Sequence, residues 1–203
     1  MKEQQVDELL YQALETELGG VQIYKMAIRC AVNDELKEEW HKYLEETENH
    51  VVIVNKIFSD LGLDPSTETP GRQVVRHKGE SLLHAMEMAL KDGPPQAAQL
   101  VAAECVVDAE TKDHANWELI GKVAESSKGP RAKSLQDAYE QVEEEEDEHL
   151  YHTMGWAREL WFESLGIPAV LPPPEERKKV TTAIGASRAE QARDEMVGKK
   201  PKK

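Results

Sequence analysis

The chain has 203 residues, 39% hydrophobic and 32% charged, with a formal charge of −14 and only two Phe. That length suits one domain with an ample core, and two full domains are not expected. An acidic body repels nucleic acid and anionic membranes while concentrating cations, so metal ions are the partners it suits. The charge is uneven: residues 175 to 203 hold nine Lys or Arg against five acids, which leaves −18 on the rest. Cys30 and Cys105 are isolated thiols, MKEQQVDELL has no apolar leader, and runs such as Val51 to Val54 are too short to span a bilayer. The expectation is a cytoplasmic protein with no classical export signal and no membrane partner.

Prominent Glu, Lys, Leu and Ala favour helices, and apolar spacing of three and four residues predicts an all-α chain with four long amphipathic segments. The first, residues 5 to 31, carries Leu10, Leu14, Val21, Ile28 and Ala31 in a stripe, with Glu17 and Tyr24 inside it. The second runs from an Asn33 cap to a stop at Gly62, with Leu36, Trp40, Tyr43, Thr47, His50, Val54, Ile57 and Leu61 in line. The link from 62 to 95 contains a short amphipathic piece, Glu80 to Lys91, suited to packing across the bundle. The third follows Gly93-Pro94-Pro95 and ends near Gly129-Pro130, with Leu100, Ala103, Val107, Glu110, His114, Trp117 and Ala124 in line. The fourth, 131 to 165, gives Leu135, Tyr139, Val142, Glu146, His149, Thr153, Trp156 and Leu160.

Segments of about 27 to 35 residues make helices of roughly 40 to 50 Å, which pack side by side. Short breaks make the first and second, and the third and fourth, antiparallel hairpins. Residues 1 to 166 are read as the bundle domain, and 167 to 203, Pro-rich and then basic, as a flexible tail.

All four stripes lose apolar character near mid-helix, and always to metal-ligand types: Glu17; Glu46 with His50; Glu110 with His114; Glu146 with His149. Four carboxylates converging in a core each cost several kcal/mol in desolvation unless neutralised. No Lys or Arg interrupts the central part of the stripes, whereas two divalent cations supply four positive charges. Oxygen and imidazole donors suit iron or manganese, with zinc an alternative. In the run EEEEDEHLYH, phase assigns Glu146 and His149 to the inside and Glu143, Glu144, Asp147 and Glu148 to solvent, with Glu145 and His152 at the boundary. Trp40, Trp117 and Trp156 are read as core.

Glu17-x6-Tyr24 on the first helix and Glu146-x-x-His149 on the last resemble the ferritin-like superfamily of ferritins, bacterioferritins and rubrerythrins. The two hairpins and long crossover agree over about residues 5 to 165. Leu44 to Thr47, LEET, is also similar to a bacterial stress-associated branch. The resemblance implies an antiparallel four-helix bundle holding two iron ions, or manganese or a mixed pair. Glu17 and Glu110 would be terminal ligands, Glu46 and Glu146 bridging ones, His50 and His149 one nitrogen ligand each, and Tyr24 a hydrogen-bond partner of a ligand. On the second helix Asn49, and not a histidine, stands three residues after Glu46. On the third helix Glu104 and Asp108 compete with Glu110, Asp113 offers a further carboxylate, and His114 offers the nitrogen that Asn49 does not. The implied chemistry is ferroxidase- or peroxidase-type protection against oxidative stress, with dioxygen or hydrogen peroxide as co-substrate. The rivals are an iron-storage cage and a non-catalytic scaffold, and a homodimer is one assembly considered. Absence of CxxC pairs removes a rubredoxin-type relay from this chain, so reductive turnover needs an external donor.

Overall fold

A computed structural model describes residues 1 to 174, and the basic part of the tail lies outside them. Among the described residues the regular structure is all helical: α1 Glu3–Cys30, α2 Asp34–Leu61, α3 Pro70–Asp92, α4 Pro95–Ser126 and α5 Gly129–Ser164. Local chemistry sets the ends. Asn33 caps α2 by accepting from the Leu36 amide, and Gly62 closes it in the left-handed region at φ 68°.

The link helix departs from the expected 80 to 91 and begins ten residues earlier. Thr69 accepts from the Arg72 amide and Pro70 occupies the first helical position, a start signal as strong as the Asn33 cap. The apolar pattern concealed it because only Arg72 and Met86 of α3 are buried.

Four helices form a closed ring of contacts, α1 with α2, α2 with α5, α5 with α4 and α4 with α1, while α3 packs over α1 and α4. Every neighbour in the ring is antiparallel. Gln99 near the start of α4 accepts from the Val32 and Asn33 amides just beyond α1, and Asn116 further along α4 reaches back to Thr16. Trp156 of α5 donates to Glu39 of α2, while Ser134 donates to Asp60. Since α2 and α4 therefore run the same way, the chain must return the length of the bundle between them. The 23 residues of α3 make that return, beside α1 and parallel to it, spanning roughly 35 Å.

The apolar core falls into two clusters. One, around Tyr24, Trp40, Tyr43 and Trp156, lies toward the α1–α2 turn. The other, around Leu10, Phe58, Trp117 and Leu135, lies toward the α4–α5 turn. Polar residues occupy the layer between them. After α5, the chain to Pro173 folds back along it: the Val170 amide donates to Glu159, and Pro173 packs against Gly155.

Close packing between α4 and α5 depends on Gly121, where a Cβ would stand 2.9 Å from the Tyr139 ring. Gly121→Ala is expected to destabilise by about 1 to 3 kcal/mol through overpacking. Gly19→Ala, whose Cβ meets open space, is expected to be neutral or stabilising by about 0.5 to 1 kcal/mol. Urea denaturation of the two variants checks the contrast.

Candidate metal centre

The polar layer is assembled at mid-helix from α1, α2, α4 and α5. Glu17, His50, Glu110, Asp113, Glu146 and His149 are all at most 4% exposed. Ligand-type atoms of Glu17, His50 and Glu146 lie within 4.8 Å of one another, and those of Glu110, Glu146 and His149 do likewise. Glu146 belongs to both triads. Five of the seven sequence-predicted ligands therefore converge.

The other two stand outside. Glu46, 20% exposed at its side chain, accepts from the outer nitrogen of His149, Nε2, at 2.9 Å and has Lys42 at 3.6 Å. His114 faces Asp147 on α5, Nε2 to Oδ1 2.6 Å, so Asp147 is an inter-helix partner and not the solvent-facing acid that phase suggested. The inward stripe of α4 holds at Leu100, Ala103, Glu110, Trp117 and Ala124, which are buried, and departs at two positions: Val106 and Asp113 are buried where Val107 and His114 are expected, and those two are only partly so. On α2, Thr47, one turn before His50, is buried and donates to the Tyr43 carbonyl, so this helix offers the layer an imidazole and no carboxylate beside it.

Glu104, exposed, accepts from Trp161, and Asp108 is exposed, which leaves Glu110 and Asp113 as the inner acids of α4. Of the boundary residues, Glu145 accepts from His50 Nε2 at 2.7 Å, and His152 joins Glu39 and Tyr43. Glu39, which also accepts from Trp156, was missed by sequence reading, although it lies four residues before Tyr43 on one helical face.

Both histidines are held in the same way. Each turns Nε2 to an outer carboxylate, Glu145 or Glu46, and Nδ1 inward. For His149, burial and then the nearby His50 charge lower the pKa to about 3, so the ring is neutral. With its hydrogen on Nε2 donated to Glu46, the Nδ1 lone pair faces Glu110 at 3.8 Å and Glu146 at 3.9 Å. A lone pair aimed at two acidic groups is repulsive unless a cation or proton lies between them.

Unpartnered buried atoms gather here: Glu17 Oε2, Tyr24 Oη, His50 Nδ1, Glu110 Oε2, Asp113 Oδ1, Glu146 Oε2 and His149 Nδ1. Buried polar atoms in folded proteins nearly always find a partner, so these are the atoms that a bound cation or a proton would satisfy. Burial, reinforced by Glu146, pushes the Glu110 pKa well above the usual carboxylate range. Burial and then the Glu17 charge do the same for Asp113. Burial raises Glu146 to about 7 despite the opposing His50. At His50 burial favours the neutral ring, but Glu17 and Glu146, at 3.6 and 3.1 Å from Nδ1, overcome it and raise the pKa to about 12. Without metal, protons stand in for cations.

The supports are rigid. Trp117 donates to Glu17 Oε1 at 2.7 Å and fixes that carboxylate with Oε2 toward His50. Tyr24 lies edge-on to His149, and its hydroxyl pKa is raised well above the ordinary value by burial and then by Glu110. Tyr43 packs on the His149 ring at 4.3 Å between centroids. The donor set, buried carboxylates and two imidazoles in two triads that share Glu146, could hold metal ions. Compared with known proteins, the chain matches no family model, no curated protein and no solved structure. Among the described residues no helix is long and apolar enough to cross a membrane.

Proposed function

We propose that the chain is a ferritin-like di-metal carboxylate protein, using iron, manganese or a mixed pair in reactions with dioxygen or hydrogen peroxide. The observation that carries this reading is the inward Nδ1 of buried His149 facing Glu110 and Glu146, with Nε2 held by Glu46. Glu17, His50 and Glu146 would hold one ion, and Glu110, His149 and Glu146 the other. Glu146 is the shared ligand, and Asp113 is the nearest further carboxylate. In this reading the ligand set differs from the one that family resemblance implies: Glu46 orients His149 instead of bridging, and Thr47 leaves α2 without a bridging carboxylate.

A pair of such ions, when bound, supplies two electrons to an O–O bond. The residues themselves hold the ligands in place and keep water out of the layer. Glu145 and Glu46 fix the tautomers of His50 and His149, Trp117 fixes Glu17, and the two apolar clusters seal the layer from either end. The Tyr24 hydroxyl is the neutral donor beside Glu110.

Loading requires the protons of the metal-free layer to leave. His50, its pKa raised to about 12, carries one at neutral pH, and burial favours the protonated forms of Glu110 and Glu146. Anaerobic Fe(II) addition to unbuffered protein at pH 7 is therefore expected to release at least about one proton per chain, with affinity rising as pH rises. Elemental analysis is expected to give about two ions per chain, followed by an optical change on exposure to oxygen or peroxide. Tight binding of neither iron nor manganese would defeat the enzyme reading. It would instead favour the non-catalytic scaffold, in which the His50 proton neutralises the layer permanently.

A further inference from the structure

The layer is shut off from water, so an ion reaches it by passing between helices. The apolar clusters close both ends, and α3 lies over α1 and α4. Between α1 and α2 the helices approach closely beside the layer, where a Cβ at Gly20 would stand 3.2 Å from the Thr47 methyl carbon. The α4–α5 seam is covered at this level by the pairing of His114 with Asp147.

The α2–α5 seam is built differently. Here side chains that touch solvent bond directly to buried donors of the layer: Glu145, 34% exposed, to His50, and Glu46, 20% exposed, to His149. The two imidazoles are stacked with ring centres 5.7 Å apart, and each has Nε2 at the outer rank and an unpartnered Nδ1 at the inner one. One imidazole is all that separates each outer carboxylate from the layer. An ammonium group occupies the outer rank, since Lys42 Nζ lies 2.6 Å from Glu148 of α5 and 3.6 Å from Glu46 of α2. Carboxylates from the two helices therefore already share a cation. Lys42 and Glu148 are both half exposed, and a pair of that kind contributes little and exchanges readily. His152, further along α5, is committed to Glu39.

We propose that divalent cations enter and leave the layer through the α2–α5 seam, collected by Glu46, Glu145 and Glu148, and that Lys42 slows their entry by holding two of the same carboxylates. An arriving ion displaces the ammonium group, which swings into water on its flexible stem. It then passes the histidines to Glu146, the carboxylate common to both triads. Acidic oxygens face the ion on both sides of the imidazoles, so its charge stays compensated along the way. The inference rests on the metal reading and adds to it a route and a residue that sets the rate.

The test is stopped-flow mixing of the full-length, metal-free protein with anaerobic Fe(II), and in parallel with Mn(II). Quenching of tryptophan fluorescence reports arrival, since Trp117 donates to Glu17, and elemental analysis of the same samples reports occupancy. A charge within about 4 Å of a divalent ion's path changes its rate of arrival severalfold. Lys42→Met is expected to load about three- to tenfold faster, and Glu148→Gln slower by about the same factor, with about two ions per chain bound at equilibrium in both. Glu145→Gln keeps an oxygen to accept from His50 and is expected to slow loading likewise without loss of occupancy. These differences are expected to fade as salt is raised from about 0.01 to about 1 M, which a purely structural effect would not do. Asp147→Asn, on the α4–α5 seam, is expected to load at the wild-type rate. Wild-type loading that is not accelerated in Lys42→Met, or that is slowed more by Asp147→Asn than by Glu145→Gln and Glu148→Gln, would overturn the route and leave the metal reading intact. No binding of either ion by the wild type would overturn both.

Discussion

Glu146→Ala is expected to reduce bound metal from about two ions per chain to well below one, because both triads draw on this carboxylate. Glu17→Ala removes a ligand from the His50 triad alone and is expected to leave about one ion, held by Glu110, Glu146 and His149. Glu46→Ala keeps every inward donor but frees His149 Nε2, and it is expected to weaken metal binding by about 10- to 100-fold. His114→Ala touches only the Asp147 pair and is expected to retain both ions. Anaerobic loading followed by elemental analysis measures all four. Equal loss in Glu146→Ala and His114→Ala would show that the layer is not the binding site.

The second large effect is expected at Arg72, outside the layer. Its side chain is 8% exposed, donates to Glu15 at 2.6 Å and also holds the Pro65 and Thr67 carbonyls. Since only Met86 is otherwise buried on α3, the guanidinium is the main attachment of this helix at its start. Arg72→Ala is expected to destabilise by about 3 kcal/mol, the lower part of the range for breaking a buried pair, because Arg76 still reaches Glu15. The double substitution Glu15→Leu with Arg72→Met is expected to recover most of the loss, as apolar replacements of buried pairs commonly do.

The pH dependence has a definite sign. Burial alone would raise the Glu15 pKa, but hydrogen bonds from Arg76 and Arg72 outweigh it and lower the value below 4.5. The group is therefore charged in the folded state at pH values where the unfolded chain binds a proton. Its stabilisation is present above about 4.5 and is lost as pH falls through the lowered value. The difference between wild type and Arg72→Ala in urea denaturation is expected to shrink over that interval.

The four ring helices and their stops were legible because long apolar stripes, Asn33, Gly62 and the Gly-Pro breaks are local signals. The start of α3 was not, since a helix lying on the outside of others buries too little to show a stripe. The layer was legible at Glu17, His50, Glu110, Glu146 and His149 because coincident depth in four segments needs no contact information. Phase failed at the stripe edges. On α4 the expected face was the buried one at Leu100, Ala103, Glu110, Trp117 and Ala124, but Asp113 and His114 lie three and four residues after Glu110, and spacing alone does not say which of them turns inward. On α2, Glu46 and Thr47 both lie one turn before His50, and only the packing decides which faces inward. The pairings Glu145–His50 and Asp147–His114 join different helices, and no spacing within α5 encodes them.

The antiparallel ring also fixes the electric field in which the layer sits. Helix macrodipoles are oriented in opposite senses at every ring contact, so they largely cancel, and their strong ends act only over the first and last turns. Glu17 is about fourteen residues from either end of α1, roughly 20 Å of helix. No N-terminus is near enough to stabilise the four buried carboxylates, and no C-terminus to stabilise His50 as a cation. The layer's electrostatics are thus set by a handful of side chains in an otherwise field-poor interior, which makes single-residue substitution an unusually direct probe of what it binds.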